Sequence, residues 1–481
     1  MSSMFGVASK KDCIDDLFYG TDYQSHLGTE FGGLALFNGN EINTFIRDIL
    51  YHQFRARFRD FAEHVSCDRG IGIISDYEPQ PIWFNSPLGA YAIAHVGKIT
   101  NIQELASKQE ARGSKVVRVM DRKTNSKVLH PISIISNLIS YGKDILDGIE
   151  IAQNSIEGSS SMLLLTREGI YAARDKYGRT PIVTGKKEGA MAATSESCAF
   201  FNTDFEEERF LGPGEVGLLT ENGYEQLKKP GDKMQICSFL WVYYGDPTSA
   251  YEGRRVEIVR NECGRALAIR DREEGLKIDV VAGIPDSGTP HAVGYALESK
   301  NFKRPLIKYA ATWQRSFMPS EQTTRNLVAN MKLNPIPELI RGQHLLFCDD
   351  SIVRGTQLKE KIKKMFDYGV KEVHLRPACP PLTFGCDYVN FSRPSKEMDL
   401  AAKRAIAKLE HLRDSSEVER RHVMKYLQES SEDYRAMVDC IGKEIGATTL
   451  RYQKLPDLVS AIGLPKEKLC TYCWDGCTGC K

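Results

Sequence analysis

Leu345-Leu346-Phe347-Cys348-Asp349-Asp350-Ser351-Ile352-Val353-Arg354-Gly355-Thr356 is the stretch whose reading decides the fold. A short apolar run ends in two carboxylates and then a loop of hydroxyls and glycine. Leu358, Ile362, Met365 and Phe366 follow at helical spacing, with Gly369 as a stop. The pattern predicts strand, loop and helix, so the loop sits at the carboxyl end of a parallel strand. Ligands bind there in open α/β sheets, because backbone N–H groups and the positive end of the helix point at an anion. Asp349 and Asp350 suit vicinal hydroxyls or a magnesium ion. Ser351, Gly355 and Thr356 suit a monophosphate, with hydroxyl donors and a glycine that lets the backbone come close. The plainer alternative is an acidic strand end before a helix.

The rest of the chain sets bounds. Its 481 residues exceed one ordinary core, so two domains are expected. With 64 basic and 63 acidic residues the net charge is +1, which gives no electrostatic case for nucleic acid or an anionic membrane. No basic segment followed by a long apolar run opens the sequence, and no uninterrupted apolar stretch reaches the ~18 residues of a span. The expectation is a soluble, cytoplasmic protein. Thirteen cysteines are scattered except for Cys470, Cys473, Cys477 and Cys480, a grouping that points to metal before disulfides.

Before residue 230 the sequence alternates like packed antiparallel sheets, with candidate strands at 33–37, 90–95, 161–166, 169–175 and 216–219 and two or three helices. From Lys277 the pattern turns β/α. A strand at 278–284 runs into Pro285-Asp286-Ser287-Gly288-Thr289-Pro290 and then a helix to about Glu298, a second anion cradle.

These two loops resemble those of type I phosphoribosyltransferases, and the wording Asp349 to Thr356 is similar to the amidophosphoribosyltransferase family of purine synthesis. Landmarks of its glutamine amidotransferase half recur at Gln24–Ala35, Ala173–Pro181, Thr194–Cys198 and Pro213–Glu215. The resemblance implies an α+β N-terminal-nucleophile-hydrolase-like sandwich over 1–230. An α/β type I phosphoribosyltransferase domain would follow over 231–481, in a homo-oligomer. It further implies that phosphoribosyl pyrophosphate (PRPP) is held by Asp286, Ser287 and Gly288 at its pyrophosphate and by Asp349, Asp350 and the following loop at its ribose and 5-phosphate. Lys308 reaches toward the pyrophosphate, and Asp349 and Asp350 serve as magnesium ligands.

The glutaminase half departs from the family. That chemistry needs an N-terminal cysteine thiol with its own α-amino group as base. Ser2 stands at the position instead, and a hydroxyl is a far weaker nucleophile near neutral pH. The oxyanion-donating Asn of the family's Ala-His-Asn-Gly string is Val96 in Ala94-His95-Val96-Gly97. The substrate-holding Arg has no counterpart in Gly72–Asp76, and the family's aspartate falls near Pro131. Glutamine hydrolysis is therefore expected to be lost, with free ammonia or an ammonia-supplying protein as nitrogen donor. Cys13, the one rescue candidate, lies in an expected first helix.

Between the two loops, Arg315–Pro319, Gln322, Arg325 and Met331–Pro335 resemble the lid that closes over PRPP; the alternative is a surface loop with scattered basic residues. The family's Lys-Asn-Arg-Tyr becomes Lys308-Tyr309-Ala310-Ala311-Thr312, with an arginine gone. Cys237, Cys386, Cys470 and Cys473 fall where iron–sulfur members place four thiolates, which implies a structural 4Fe-4S cluster. Zinc on the four C-terminal cysteines is the alternative. A charged helical stretch over 398–434 is extra relative to the family, with Ala401, Ala405, Leu409, Leu412, Val423 and Leu427 among its apolar positions. It reads as a solvated helical hairpin or a partner contact. The rival to an enzyme is a non-catalytic PRPP or nucleotide sensor, or a regulatory paralogue.

Overall fold

The computed structural model describes residues 2–39, 41–50, 52–121, 125–309, 333–389 and 399–477. Two antiparallel sheets, one of seven strands and one of six, fill the N-terminal half. Alternation in the strand Ser3–Ser9 shows how they stack. Met4 and Ala8 point into the space between the sheets, with Ile71, Ile73, Leu163 and Ala172. Phe5 and Val7 point the other way, onto Leu17, Phe18, Phe54 and Phe58 of two helices. Period-two side chains on a strand covered on both faces produce the nearly unbroken apolar runs. The helices Ile102–Ala111, Pro131–Ile139 and Ile145–Ser155 cover the outside of the second sheet.

All five expected strand regions are found, at Phe31–Phe37, Gly89–Ile99, Gly158–Leu165, Ile170–Ala173 and Val216–Thr220. The helix content is higher than the two or three expected: Ile14–Asp22, Phe54–Ala62 and Cys198–Phe201 join the three above. Ile14–Asp22 is the expected first helix, and Phe54–Ala62 shows why a further helix went unread. Its buried face is only Phe54, Phe58 and Ala62, one residue per turn, set among Arg55, Arg57 and Arg59. Cys13 immediately precedes the Ile14–Asp22 helix and is buried, its sulfur 3.8 Å from that of Cys67.

In the C-terminal half four parallel strands lie side by side in the order Val280–Gly283, His344–Asp349, Glu372–Pro377 and Thr449–Leu450. Leu345 and Phe347 face one helical layer, Leu346 and Cys348 the other. The stretch 399–434 corrects the solvated-hairpin reading. It forms the helices Ala401–Leu409 and Arg420–Lys425, followed by Glu432–Ile445. Ala401, Ala405 and Val423 are buried in the core of the parallel sheet, with Leu409, Leu412 and Leu427 packed against it. Phe366, expected on the inner face of its helix, is instead 42% exposed, while Leu358, Ile362 and Met365 are buried.

The halves are joined by buried polar contacts. Glu196 accepts the Ser249 hydroxyl at 2.6 Å and the Tyr251 hydroxyl, and Arg174 pairs with Glu252 at 2.7 Å. Within the C-terminal half, buried Asp271 accepts two bonds from Arg376 at 2.6 and 2.9 Å, one from Tyr295 at 2.8 Å and one from Arg451 at 3.1 Å. It pins the Val256–Glu273 helix to the strand Glu372–Pro377. Asp271→Ala leaves the buried Arg376 cation without its partner, and we expect a loss of about 3–5 kcal/mol. A denaturant midpoint unchanged by the substitution would refute this.

Candidate active site

The strands Val280–Gly283 and His344–Asp349 are neighbours, with Gly283 opposite Cys348. Their carboxyl ends therefore launch the two glycine-bearing loops side by side. The Ile284 N–H donates to the Cys348 carbonyl at 2.9 Å, and the Ser287 hydroxyl donates to Asp350 Oδ2 at 2.5 Å. Ser351 donates to the other oxygen, Oδ1, at 2.6 Å. Gly288 is required by this approach, since a Cβ there would lie 2.4 Å from the Cys348 carbonyl oxygen. Gly355, at φ +74°, turns the chain into the helix Thr356–Asp367. Sequence-distant Asp286, Ser287, Gly288, Asp349, Asp350, Ser351 and Gly355 thus come to one end of one sheet.

Burial, and then the charge of its neighbour, push the Asp349 carboxyl well above the ordinary carboxylate range. Burial raises Asp350 as well, against the two serine hydroxyl bonds. Two adjacent buried carboxylates cannot both ionise cheaply, so the pair favours a cation or hydroxyl donors beside it. Two residues that sequence reading missed act on this pair through their charge. Lys361, lowered by its own burial, acts on Asp349, and the buried Arg260 guanidinium acts on Asp350. Both charges sit on helices at positions that read as ordinary surface, and nothing local in the sequence marks them.

Lys308 ion-pairs with Asp286, which places it at the first loop. It ends the strand Leu306–Lys308, which pairs with Leu333–Pro335. The expected lid residues Arg315–Pro319, Gln322, Arg325, Met331 and Lys332 lie outside the described residues, as do Ala310–Thr312.

The four landmark cysteines gather from three segments. Cys237 and Cys470 are paired in register between the short parallel strands Ile236–Cys237 and Leu469–Cys470. Cys386 accepts the Val389 N–H at 3.4 Å and the Tyr388 N–H at 3.5 Å. The Cys473 thiol hydrogen-bonds the Cys386 sulfur and, with those amides, holds it down at about 7 despite burial. Burial pushes Cys470 up to about 11. Among the described residues no three His, Cys, Asp or Glu side chains converge on a single-ion site. Cys477 is exposed, and Cys480 lies outside the described residues.

At the other candidate centre, the Ser2 hydroxyl donates to the Ser75 hydroxyl at 3.1 Å, an uncharged neighbour. Val96 is buried among the apolar residues between the sheets, and Pro131 opens the helix Pro131–Ile139. His95 turns away to Glu78, at 2.9 Å.

Residues 68–202 match the glutamine amidotransferase domain family. An amidophosphoribosyltransferase of Archaeoglobus fulgidus is 30% identical over 332 residues, 69% of this chain and 70% of that protein. The chain belongs to the amidophosphoribosyltransferase family. A member from Methanothermobacter thermautotrophicus is 29% identical over 486 residues, covering 98% of this chain and 91% of its own. In structure, the chain is similar to the B. subtilis glutamine PRPP amidotransferase complexed with ADP and GMP. The TM-score is 0.82 at 25% identity, over 99% of this chain and 96% of that one. The fold is therefore that of the family: an N-terminal-nucleophile-hydrolase-like α+β sandwich followed by an α/β phosphoribosyltransferase domain. Among the described residues, no helix is long and apolar enough to cross a membrane.

Proposed function

We propose that this chain is a cytoplasmic amidophosphoribosyltransferase of purine synthesis that binds PRPP with magnesium and takes ammonia, rather than its own glutamine, as nitrogen donor. The observation that carries the reading is the Ser287–Asp350 hydrogen bond at 2.5 Å, which brings the two anion loops to one point. Asp286, Ser287, Gly288 and Lys308 hold the pyrophosphate. Asp349 and Asp350 hold the ribose hydroxyls or magnesium, and Ser351, Val353, Arg354, Gly355 and Thr356 hold the 5-phosphate. The carboxylate pair fits a cation that keeps most of its coordination for water and phosphate, as magnesium does. When bound, magnesium neutralises charge on the departing pyrophosphate. The chain's residues orient the sugar so that ammonia forms a bond to its anomeric carbon as the bond to pyrophosphate breaks, giving phosphoribosylamine.

The domains divide at 230/231 in this proposal, with the first no longer a glutaminase. In this proposal the four thiols Cys237, Cys386, Cys470 and Cys473, which gather from three segments, hold a structural 4Fe-4S cluster. The protein assembles as a homo-oligomer and receives ammonia free or from another protein.

The experiment is an assay of PRPP-dependent pyrophosphate release with ammonium and, separately, with glutamine. Release with ammonium alone is expected. Release with neither leaves a PRPP sensor, and release with glutamine overturns the reading of the first domain.

A further inference from the structure

The helical stretch 399–434 lies against the phosphate-loop end of the four-stranded parallel sheet. The Ala401 N–H donates to the Val353 carbonyl at 2.8 Å. Arg404, one turn further along the same helix, donates from Nη2 to the Arg354 carbonyl at 2.6 Å. These are the two peptide carbonyls immediately before Gly355, the left-handed residue on which the loop turns into its helix. Loop carbonyls fixed outward in this way leave the loop's N–H groups turned to the opposite side, where an anion is held.

Arg404 is itself fixed. Its Nε and Nη2 donate to Glu444 Oε1 at 3.1 and 2.7 Å, and its Nη1 donates to Asp399 Oδ2 at 3.0 Å. Glu444 also holds Lys408 at 2.5 Å, and the two cations keep its carboxyl below the ordinary value although partial burial opposes them. The residue after Glu444, Ile445, sits where a Cβ on Gly355 would be only 3.1 Å away. Two helices therefore clasp the back of the loop, one through Arg404 and the other through Ile445. The Arg404 side chain is 19% exposed, so the guanidinium is not a free surface cation.

We infer that Arg404 is a positioning residue for the 5-phosphate loop, acting through the Arg354 carbonyl, and that the helical stretch 399–434 sets this chain's affinity for the phosphate end of its sugar substrate. The inference rests on the proposed PRPP site. It assigns the helical stretch a task on one of the two loops and none on the other, which separates it from a general role in stability.

The test compares full-length wild type with Arg404→Met, which keeps the stem and removes the donors, and Arg404→Lys, which restores one donor. Calorimetry reads ribose 5-phosphate, which carries the sugar and its 5-phosphate without the pyrophosphate, against inorganic pyrophosphate, which engages the 284–288 loop and Lys308. Arg404→Met is expected to weaken ribose 5-phosphate about tenfold, equivalent to ~1.4 kcal/mol. Pyrophosphate affinity stays unchanged, KM for PRPP rises and kcat is held, and Arg404→Lys recovers part of the loss. Hydrogen exchange without ligand is expected to quicken at 353–356 and not at 284–288. The inference is overturned if both ligands weaken together, or if neither ligand affinity nor exchange at 353–356 changes. Wild type that binds neither ligand refutes the PRPP reading, and the exchange comparison still decides the role of Arg404.

Discussion

Asp350→Asn is expected to lower kcat/KM for PRPP-dependent pyrophosphate release by about 10²–10³-fold, the loss that follows removal of one preorganised electrostatic group from a water-poor site. The substitution nearly preserves shape. One amide oxygen still accepts a serine hydroxyl, and the other hydroxyl can rotate to accept from the amide N–H. What disappears is the negative charge that Arg260 stabilises and that lies beside Asp349. Without it the pair attracts a divalent cation less and gives the sugar hydroxyls a weaker acceptor. The melting temperature should hold or rise, because a buried charge beside a like charge has been removed. Kinetics with saturating ammonium, together with calorimetric PRPP titration, checks this. Turnover within a factor of three of wild type would place the sugar elsewhere.

The second large effect is a failure to gain function. Ser2→Cys supplies the thiol of the family's amidase chemistry, yet glutamine-dependent product is expected to remain at background, at least ~10³-fold below a working glutaminase. One missing oxyanion donor alone accounts for about 10²–10³-fold, and Val96 offers none. Apolar neighbours around Val96 leave an asparagine introduced there no polar surroundings, and Pro131 at the start of its helix has no carboxylate to accept from a substrate ammonium. Glutamine hydrolysis by Ser2→Cys at a rate matching ammonia use would show that the remaining framework is competent.

Much of the second half was legible because its signals are local. The apolar run ending in Asp349 and Asp350 is a strand because alternate residues face two helical layers. The loop after it turns at Gly355 because the helix begins there. The meeting of Ser287 with Asp350 was legible only by analogy, since 63 residues separate them and strand order alone decides the contact. Less could be read where a side chain's partner is remote and its own neighbourhood ordinary. Arg404 looks like any arginine on a charged helix; its work depends on the carbonyl of Arg354 and on Glu444. Phe366 shows the converse error. Periodicity assigned it inward, but its position is at the margin of the stripe, and the groove beside it remains open.

The serine hydroxyls that bond both oxygens of Asp350 carry a consequence for selectivity. Each oxygen accepts one serine and keeps a second acceptor site, so a sugar adds its bonds without displacing either serine. Because the two serines hold the carboxylate, those remaining acceptors point in set directions. A ligand with a single hydroxyl meets one of them, whereas a cis-diol can meet two acceptors of the aspartate pair at once.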